Sequence, residues 1–516
     1  VLLKPSVIAV GRGGLGETMV LPAGTARPAR HVAPSLTLWQ SLVDIFGLME
    51  NGKVGTETFV RSWIYGIICS KLACQIHRLI RKKLGSQAQE KAEAKEVVSK
   101  SGSSFTLMAG KPADLSWLSA WGSYVIPLAY FTESFMVLVR GRAAMARPPL
   151  ERGWRLFFAS FMLLPLFECF AEHDWSNPST VQLREGYQRD HRFRGSLYLW
   201  AVTELIVTVS FSRAALDPRR KKIRLPHLVG IALTMGILNG GLGITVAHEL
   251  LHKPKAVDKA VAHMLLTNVC YLHWADEHLV GHHDKVATPD DPATARRGEP
   301  FYAFLPRTVV RSFVSAWRLH ARRALTEGKT PSKAAFALQT FGPPLAWVAV
   351  LSRIVGCRVR QLLPLWAAQA AFGVMLLEAV NYIEHYGLQR KQMPDGSYEP
   401  VNPRHSWNSA HRLSNAILFK LQRHSDHHTF PQRPFQLLRN FEESPQLPTG
   451  YFGMVFLSFC PRAFFWIMNP LVDAHNSGGD TKTAERQAVE KFRRWCAFVF
   501  VGGVVGPLLV NKRLQR

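Results

Sequence analysis

Six stretches of this chain are apolar for long enough to leave few choices of fold. They lie at about 118–139, 154–171, 196–212, 228–248, 336–356 and 362–383. A helix needs about 20 residues to cross the hydrocarbon of a bilayer, and a spanning helix satisfies its own backbone polar groups. The chain therefore reads as an all-α membrane protein with about six transmembrane helices. A further run, WCAFVFVGGVVGPLLV at 495–510, is shorter and glycine-bearing, and fits either a span or a segment on the membrane surface. The mean hydropathy near zero is an average over these runs and very polar connections.

Around this unit, 114–475, the sequence predicts two appendages. Residues 1–58 carry Gly, Pro and Arg with few acids, as a targeting segment or a flexible extension would. Residues 59–83 mix apolar and basic positions, predicting an interfacial amphipathic helix. A polar linker is expected over 84–104, which makes 1–113 an N-terminal extension. Residues 476–516 form a C-terminal tail with the extra apolar candidate. The 63 Lys and Arg against 37 acids give a net charge of +26. Basic loops at an anionic lipid surface account for it. No nucleic-acid motif or basic–aromatic stripe accompanies the charge, so no nucleic-acid partner is expected. Seven cysteines include no CxxC pair, which excludes an obvious disulfide framework or thiolate iron site.

Histidines mark the chemistry. HELLHK at 248–253 is followed by EHLVGHH at 277–283, and then HSDHH at 424–428. His248 and His252, like His278 and His282, are spaced i, i+4, so each pair shares one helix face. His283, His385 in NYIEHYG, and His424, His427 and His428 complete a set of nine. Two spans separate His283 from His385, so the chain crosses and returns, and all nine lie on one side of the membrane. HELLH alone fits the zinc-peptidase signature with Glu249 as general base. Such a site needs only three protein ligands, whereas two metals with four or five nitrogens each use all nine. Imidazole suits iron, copper, nickel and zinc alike.

Other polar residues divide by surroundings. His227, His263, His273 and His411 are expected to be hydrogen-bonding or surface residues, and His405 is evenly balanced between that and orienting a ligand. Glu133, Glu168, Glu204 and Glu378 fall inside apolar runs and should face the bundle interior. Glu249, Glu277 and Glu384 each adjoin a cluster histidine and are expected to accept imidazole N–H groups. Asp290 and Asp291 could support the site, dock a partner or cap a helix, and the plain reading is a turn or cap role.

HELLHK, EHLVGHHDKVATPDDPATAR, NYIEHYGLQRKQ, PRHSWNSAHRLSN, LQRHSDHHTFPQRPFQLLRNF and LPTGYFGM closely resemble the membrane alkane hydroxylases, or alkane 1-monooxygenases, within the membrane di-iron superfamily that includes fatty-acid desaturases. The resemblance covers about 228–475. It implies two non-haem irons held by His248, His252, His278, His282, His283, His385, His424, His427 and His428. It also implies O2 as co-substrate, an alkane or fatty chain as substrate, and hydroxylation at the terminal carbon. Electrons would come from rubredoxin and its reductase, or a similar carrier, to a site facing the cytoplasm. Leu251 and Leu279 stand where the family commonly has Gly and Asn, and the bulkier Leu251 is expected to affect packing near the substrate tunnel. The rival readings are a fatty-acyl desaturase or fatty-acid ω-hydroxylase on the same site, an HExxH metallopeptidase, and a non-catalytic metal-binding membrane protein.

Overall fold

The computed structural model describes residues 49–50, 53–54, 96–98, 104–110, 113–114, 117–131, 154, 156–179, 190–216 and 225–500. The predicted interfacial helix at 59–83, Glu133 and most of the run at 495–510 lie outside them. Among the described residues the protein is mostly helical. Four helices are long and apolar enough to cross a membrane. They are His191–Leu216, Leu225–Leu251, Lys333–Val355 and Val359–His385, and they correspond to the third to sixth predicted spans. The second predicted span forms a shorter apolar helix, Leu156–Glu168. Of the first, Trp117–Gly122 is helical and the chain is helical again over 125–131; 132–139 lies outside the described residues.

In chain order we label the helices α1 (Trp117–Gly122), α2 (Leu156–Glu168), α3 (His191–Leu216), α4 (Leu225–Leu251), α5 (Ala256–Asn268) and α6, a short helix made of Trp274–Asp276, Glu277–His282 and His283–Lys285. Then come α7 (Phe301–Thr326), α8 (Lys333–Val355), α9 (Val359–His385), α10 (Arg412–Ile417), α11 (His424–Thr429), α12 (Tyr451–Ser458), α13 (Pro461–Ser477) and α14 (Thr481–Phe500). The basic connection 253–333 between the fourth and fifth predicted spans holds α5, α6 and α7, of which only the α6 segment was expected to be helical. Helix α7 buries Phe301, Phe304, Thr308, Ser312 and Ala316 at helical spacing and leaves Arg311, Arg318, Val310 and Leu325 exposed, so it is amphipathic rather than spanning.

Helices α4 and α9 pack side by side, and glycines set how closely. A Cβ on Gly240 would come within 2.1 Å of the Gly373 Cα, so the two backbones touch where neither residue has a side chain. Over Ile237–Leu242 α4 widens into a π-helical turn, a local insertion that re-aims the remaining turns of the helix. Here Asn239 donates to Thr208 Oγ1 (3.2 Å) and Gln369 Oε1 (3.1 Å), tying α4 to α3 and α9. A glycine inside a helix costs about 1 kcal/mol relative to alanine. Gly240 and Gly243 offset it by close packing, the latter against the Glu204 carboxylate.

Among the described residues, the acids of the apolar helices face inward. Glu204 accepts from Asn268 (2.9 Å). Glu378 accepts from Tyr271 (2.8 Å), Thr308 (2.9 Å) and Asn381 (3.1 Å). Glu168 accepts from the Ser414 amide (2.8 Å) and hydroxyl.

The linker reading of 84–104 needs correction at its end. Glu96–Val98 pairs antiparallel with Ser104–Thr106, and Phe105 and Leu107 bury against Phe441. The alternation of Phe105 and Leu107 carries apolar side chains to one face, and this docks the segment on the polar end of the bundle.

Candidate metal centre

The nine histidines converge. His248 and His252 end α4, and His385 ends α9. His278, His282 and His283 lie on α6, and His424, His427 and His428 on α11. They fall into two groups: His248, His252, His278, His283 and His427 in one, His282, His385, His424 and His428 in the other, with the ligand atoms of each within 4.8 Å of one another. The pairing of His248 with His252 follows the helical spacing. The pairing of His278 with His282 does not. Glu277–His282 is a π-helical turn, whose wider winding aligns i with i+5. It places His278 beside His283, their Nε2 atoms 3.1 Å apart, and turns His282 into the other group. Helix α11 divides likewise, sending His427 to the first group and His424 and His428 to the second.

The donor geometry fits metal ions. In the first group the Nε2 atoms of His252 and His278, of His278 and His283, and of His283 and His427 are each 3.1 Å apart. In the second, those of His424 and His428 are 2.9 Å apart. Two imidazole nitrogens bound at about 2.0–2.1 Å and at right angles would be about 3 Å apart. Nε2 of His248, His282 and His385 is buried without a hydrogen-bond partner, a costly arrangement that a cation would resolve. Burial, with the neighbouring imidazoles acting in the same direction, holds His252, His278, His283, His424, His427 and His428 well below the ordinary histidine range. They are neutral at pH 7, the protonation state that ligation requires.

The carboxylates that orient the site differ from those expected. His282 Nδ1 meets Asp291 Oδ2 at 2.9 Å, leaving Nε2 to face its group. Burial opposes protonation of His282, but Asp291 outweighs it and raises the imidazole. Burial likewise pushes Asp291 up, and His282 outweighs this and holds the carboxyl down. Sequence alone offers Asp291 as a turn or cap residue or as a support of the site and does not choose between them, because its partner is nine positions away across a non-helical loop. Glu249 accepts from Lys253 (2.7 Å) and the Phe435 amide (3.1 Å) instead of an imidazole, so the general-base geometry of a zinc peptidase is not formed. Glu384 Oε2 lies 3.2 Å from His424 Nε2, the nitrogen that also meets His428, so it faces the candidate ligand atom rather than a free imidazole N–H. His405 acts through its backbone, its carbonyl facing His385 Nδ1 at 3.3 Å; its ring pairs with Glu399. His263 and His411 hydrogen-bond locally, and His273 packs between Tyr271 and Phe313. None of these joins the two groups. Beneath α11, Asp426 binds Arg439 (2.7 Å) and Arg433 (3.2 Å), which anchors the HSDHH turn.

A cavity of about 330 Å³ opens beneath the histidines. Its walls include Ile126, Leu156, Phe161, Ile237, Leu376 and Val455, and it ends at His248, His278, His424, Glu384 and Trp274. Both histidine groups thus reach one apolar chamber. Trp274 stacks on His278 with ring centroids 4.5 Å apart.

A family model described as "Fatty acid desaturase" matches residues 224–458. Alkane 1-monooxygenase 1 of Pseudomonas aeruginosa is 42% identical over 352 residues, covering 66% of this chain and 88% of that protein. The chain belongs to the alkane 1-monooxygenase family. The alkane 1-monooxygenase of Ectopseudomonas oleovorans is 38% identical over 343 residues, 64% of this chain and 82% of that protein. That of Acinetobacter baylyi is 36% identical over 322 residues, with coverages of 62% and 77%. As an alkane 1-monooxygenase family member the chain is an oxidoreductase, and its histidine groups are able to bind metal. Leu251, where the resemblance led us to expect an effect near the tunnel, is buried in the core (2% exposed) but is not among the residues walling this cavity. Leu279 packs at the edge of the same core.

Proposed function

We propose that this protein is a membrane non-haem di-iron monooxygenase that uses O2 and two electrons to hydroxylate the terminal carbon of an alkane. The carrying observation is the apolar cavity that ends on histidines of both groups. His248, His252, His278, His283 and His427 would hold one iron, and His282, His385, His424 and His428 the other. Bound iron supplies the oxidising power that no side chain has for an unactivated C–H bond. The chain's own residues do the rest. Asp291 and the His405 carbonyl fix the Nδ1–H tautomers of His282 and His385, aiming Nε2 inward. Trp274 braces His278. The cavity walls exclude water and hold an apolar chain end-on, so that its last carbon meets the site.

Among the described residues that line the cavity none is Lys or Arg. That lining suits the alkyl part of either substrate, and the relatives, named alkane 1-monooxygenases, favour an alkane over an ω-hydroxylase substrate. Six spans, with the cluster end of α4 and α9 facing the cytosol, belong to the same reading, because a reducible centre needs electrons from a carrier such as rubredoxin. The test is anaerobic metal analysis followed by turnover with reduced carrier, 18-O2, octane to hexadecane, and palmitate. Two irons per chain and labelled 1-alkanol are expected, and H278A should abolish the product while the protein stays in the membrane. Labelled ω-hydroxypalmitate alone would replace the substrate, an alkene would make it a desaturase, and one zinc without oxygen incorporation would overturn the di-iron reading.

A further inference from the structure

Helix α4 carries two adjacent glycines that are glycine for different reasons. A Cβ at Gly240 would strike the Gly373 backbone; packing explains its absence. At Gly241 an added Cβ would meet only Leu376 Cδ1, at 4.0 Å, an ordinary contact. Packing therefore does not require a glycine there. What lies beside Gly241 is the cavity: both Gly241 and Leu376 line it. Gly241, Thr245 and His248 all line it too, and their spacing of i, i+4 and i+7 is that of one helix face.

Helix rise puts Gly241 about 10 Å along α4 from His248. The walls do not stop there, because Ile237, four residues further from the histidines on the π-helical turn, also lines the cavity. Gly241 thus sits partway down, where a substrate reaching the histidines with one end passes with its middle.

We propose that Gly241 is a specificity-determining residue: its missing side chain keeps the cavity open past the first 10 Å or so of helix rise and admits long alkyl chains. This rests on the reading of the cavity as the alkane site. Extended octane is about as long as the stretch from His248 to Gly241, and hexadecane is about twice as long. A side chain at 241 leaves room for the first and blocks the second. The missing methyl is open space to fill rather than a contact to break, so the change is tolerated by the fold.

The experiment compares wild type, G241A and G241L for kcat/KM on octane and hexadecane, with iron content and helicity measured in each. One methylene in an apolar pocket is worth about tenfold or more in discrimination. G241L should therefore lose at least about tenfold on hexadecane relative to octane, with G241A intermediate and iron content unchanged. An unchanged ratio in folded, iron-loaded G241L overturns the proposal. A second readout does not need turnover. Quenching of Trp274 fluorescence by 1-bromooctane and 1-bromohexadecane, taken as the difference from W274F, should persist for the short chain in G241L and vanish for the long one. Equal quenching by both overturns the proposal. Wild type that binds both chains yet oxidises neither would instead overturn the function proposed above, leaving the role of Gly241 to be decided by the quenching alone.

Discussion

Asp291 decides which face of His282 is available. Its Oδ2 takes the Nδ1 side of the ring at 2.9 Å, and it is itself held by the Thr294 hydroxyl (2.6 Å) and the Ala293 amide (3.0 Å). A carboxylate in this position raises the basicity of the ring and fixes its tautomer, and loss of such a partner typically costs about 10–100-fold in metal affinity. D291N keeps the shape and removes the charge. It is expected to weaken iron binding by about that factor at the group containing His282, leaving the five-histidine group loaded. Anaerobic iron titration should then give one tight and one weakened site per chain. Two unaltered sites would reduce Asp291 to a loop brace. The gathering of the nine histidines was legible from sequence, eight of them in three bursts beside apolar segments and His385 through the even number of predicted spans that returns it to their side. Their division was not. It depends on the π-turn at Glu277–His282, which no residue in EHLVGHH announces.

At the scale of elements, the four long apolar helices were legible because lipid-length apolar runs admit little else. Helices α5 and α7 were hidden, α5 because it is only 13 residues long with a single Lys balanced by a single Asp, α7 because its composition is basic and its apolar face narrow. The docked hairpin of Glu96–Val98 with Ser104–Thr106 was hidden because three-residue strands carry almost no periodicity. Helix α14 shows how such peripheral elements are attached. Glu485 accepts the Gln446 amide at 3.0 Å and so ties α14 to the loop after α11. Burial, only partly offset by that amide and Lys482, pushes the carboxyl from 4.5 up to about 7. The folded state therefore binds more protons than the unfolded state between these two values, so this contribution to stability is full below the lower pKa and is lost as pH rises through the upper one. Amide protection of 481–500, corrected for intrinsic exchange, should fall as pH rises from 5 to 8. E485Q, which keeps the acceptor without the charge, should flatten that dependence. A profile identical to wild type would mean that the attachment is independent of Glu485.

For the whole molecule, the histidine groups matter as cross-links. His248 and His428 are 180 positions apart, and each group draws donors from several of α4, α6, α9 and α11. A metal bound across such separations stabilises the fold it closes, because the unfolded chain has no preformed site. Without metal, the same end of the bundle holds buried nitrogens that lack partners, so its stability rests on Asp426 with Arg439 and Arg433 and on Arg423 with Asp174 (3.0 Å). A ligand at a hundredfold excess over its Kd stabilises by about 2.7 kcal/mol. Two such sites should raise the thermal midpoint by several degrees. The prediction is that anaerobic removal of iron lowers the midpoint of helix unfolding and opens the 284–299 and 386–411 connections to limited proteolysis, while the four spans stay protected by detergent or lipid. Readdition of ferrous ion should restore both. Equal midpoints and equal cleavage with and without iron would mean that the polar end is assembled by its ion pairs alone, and that the metals occupy a site the fold has already built.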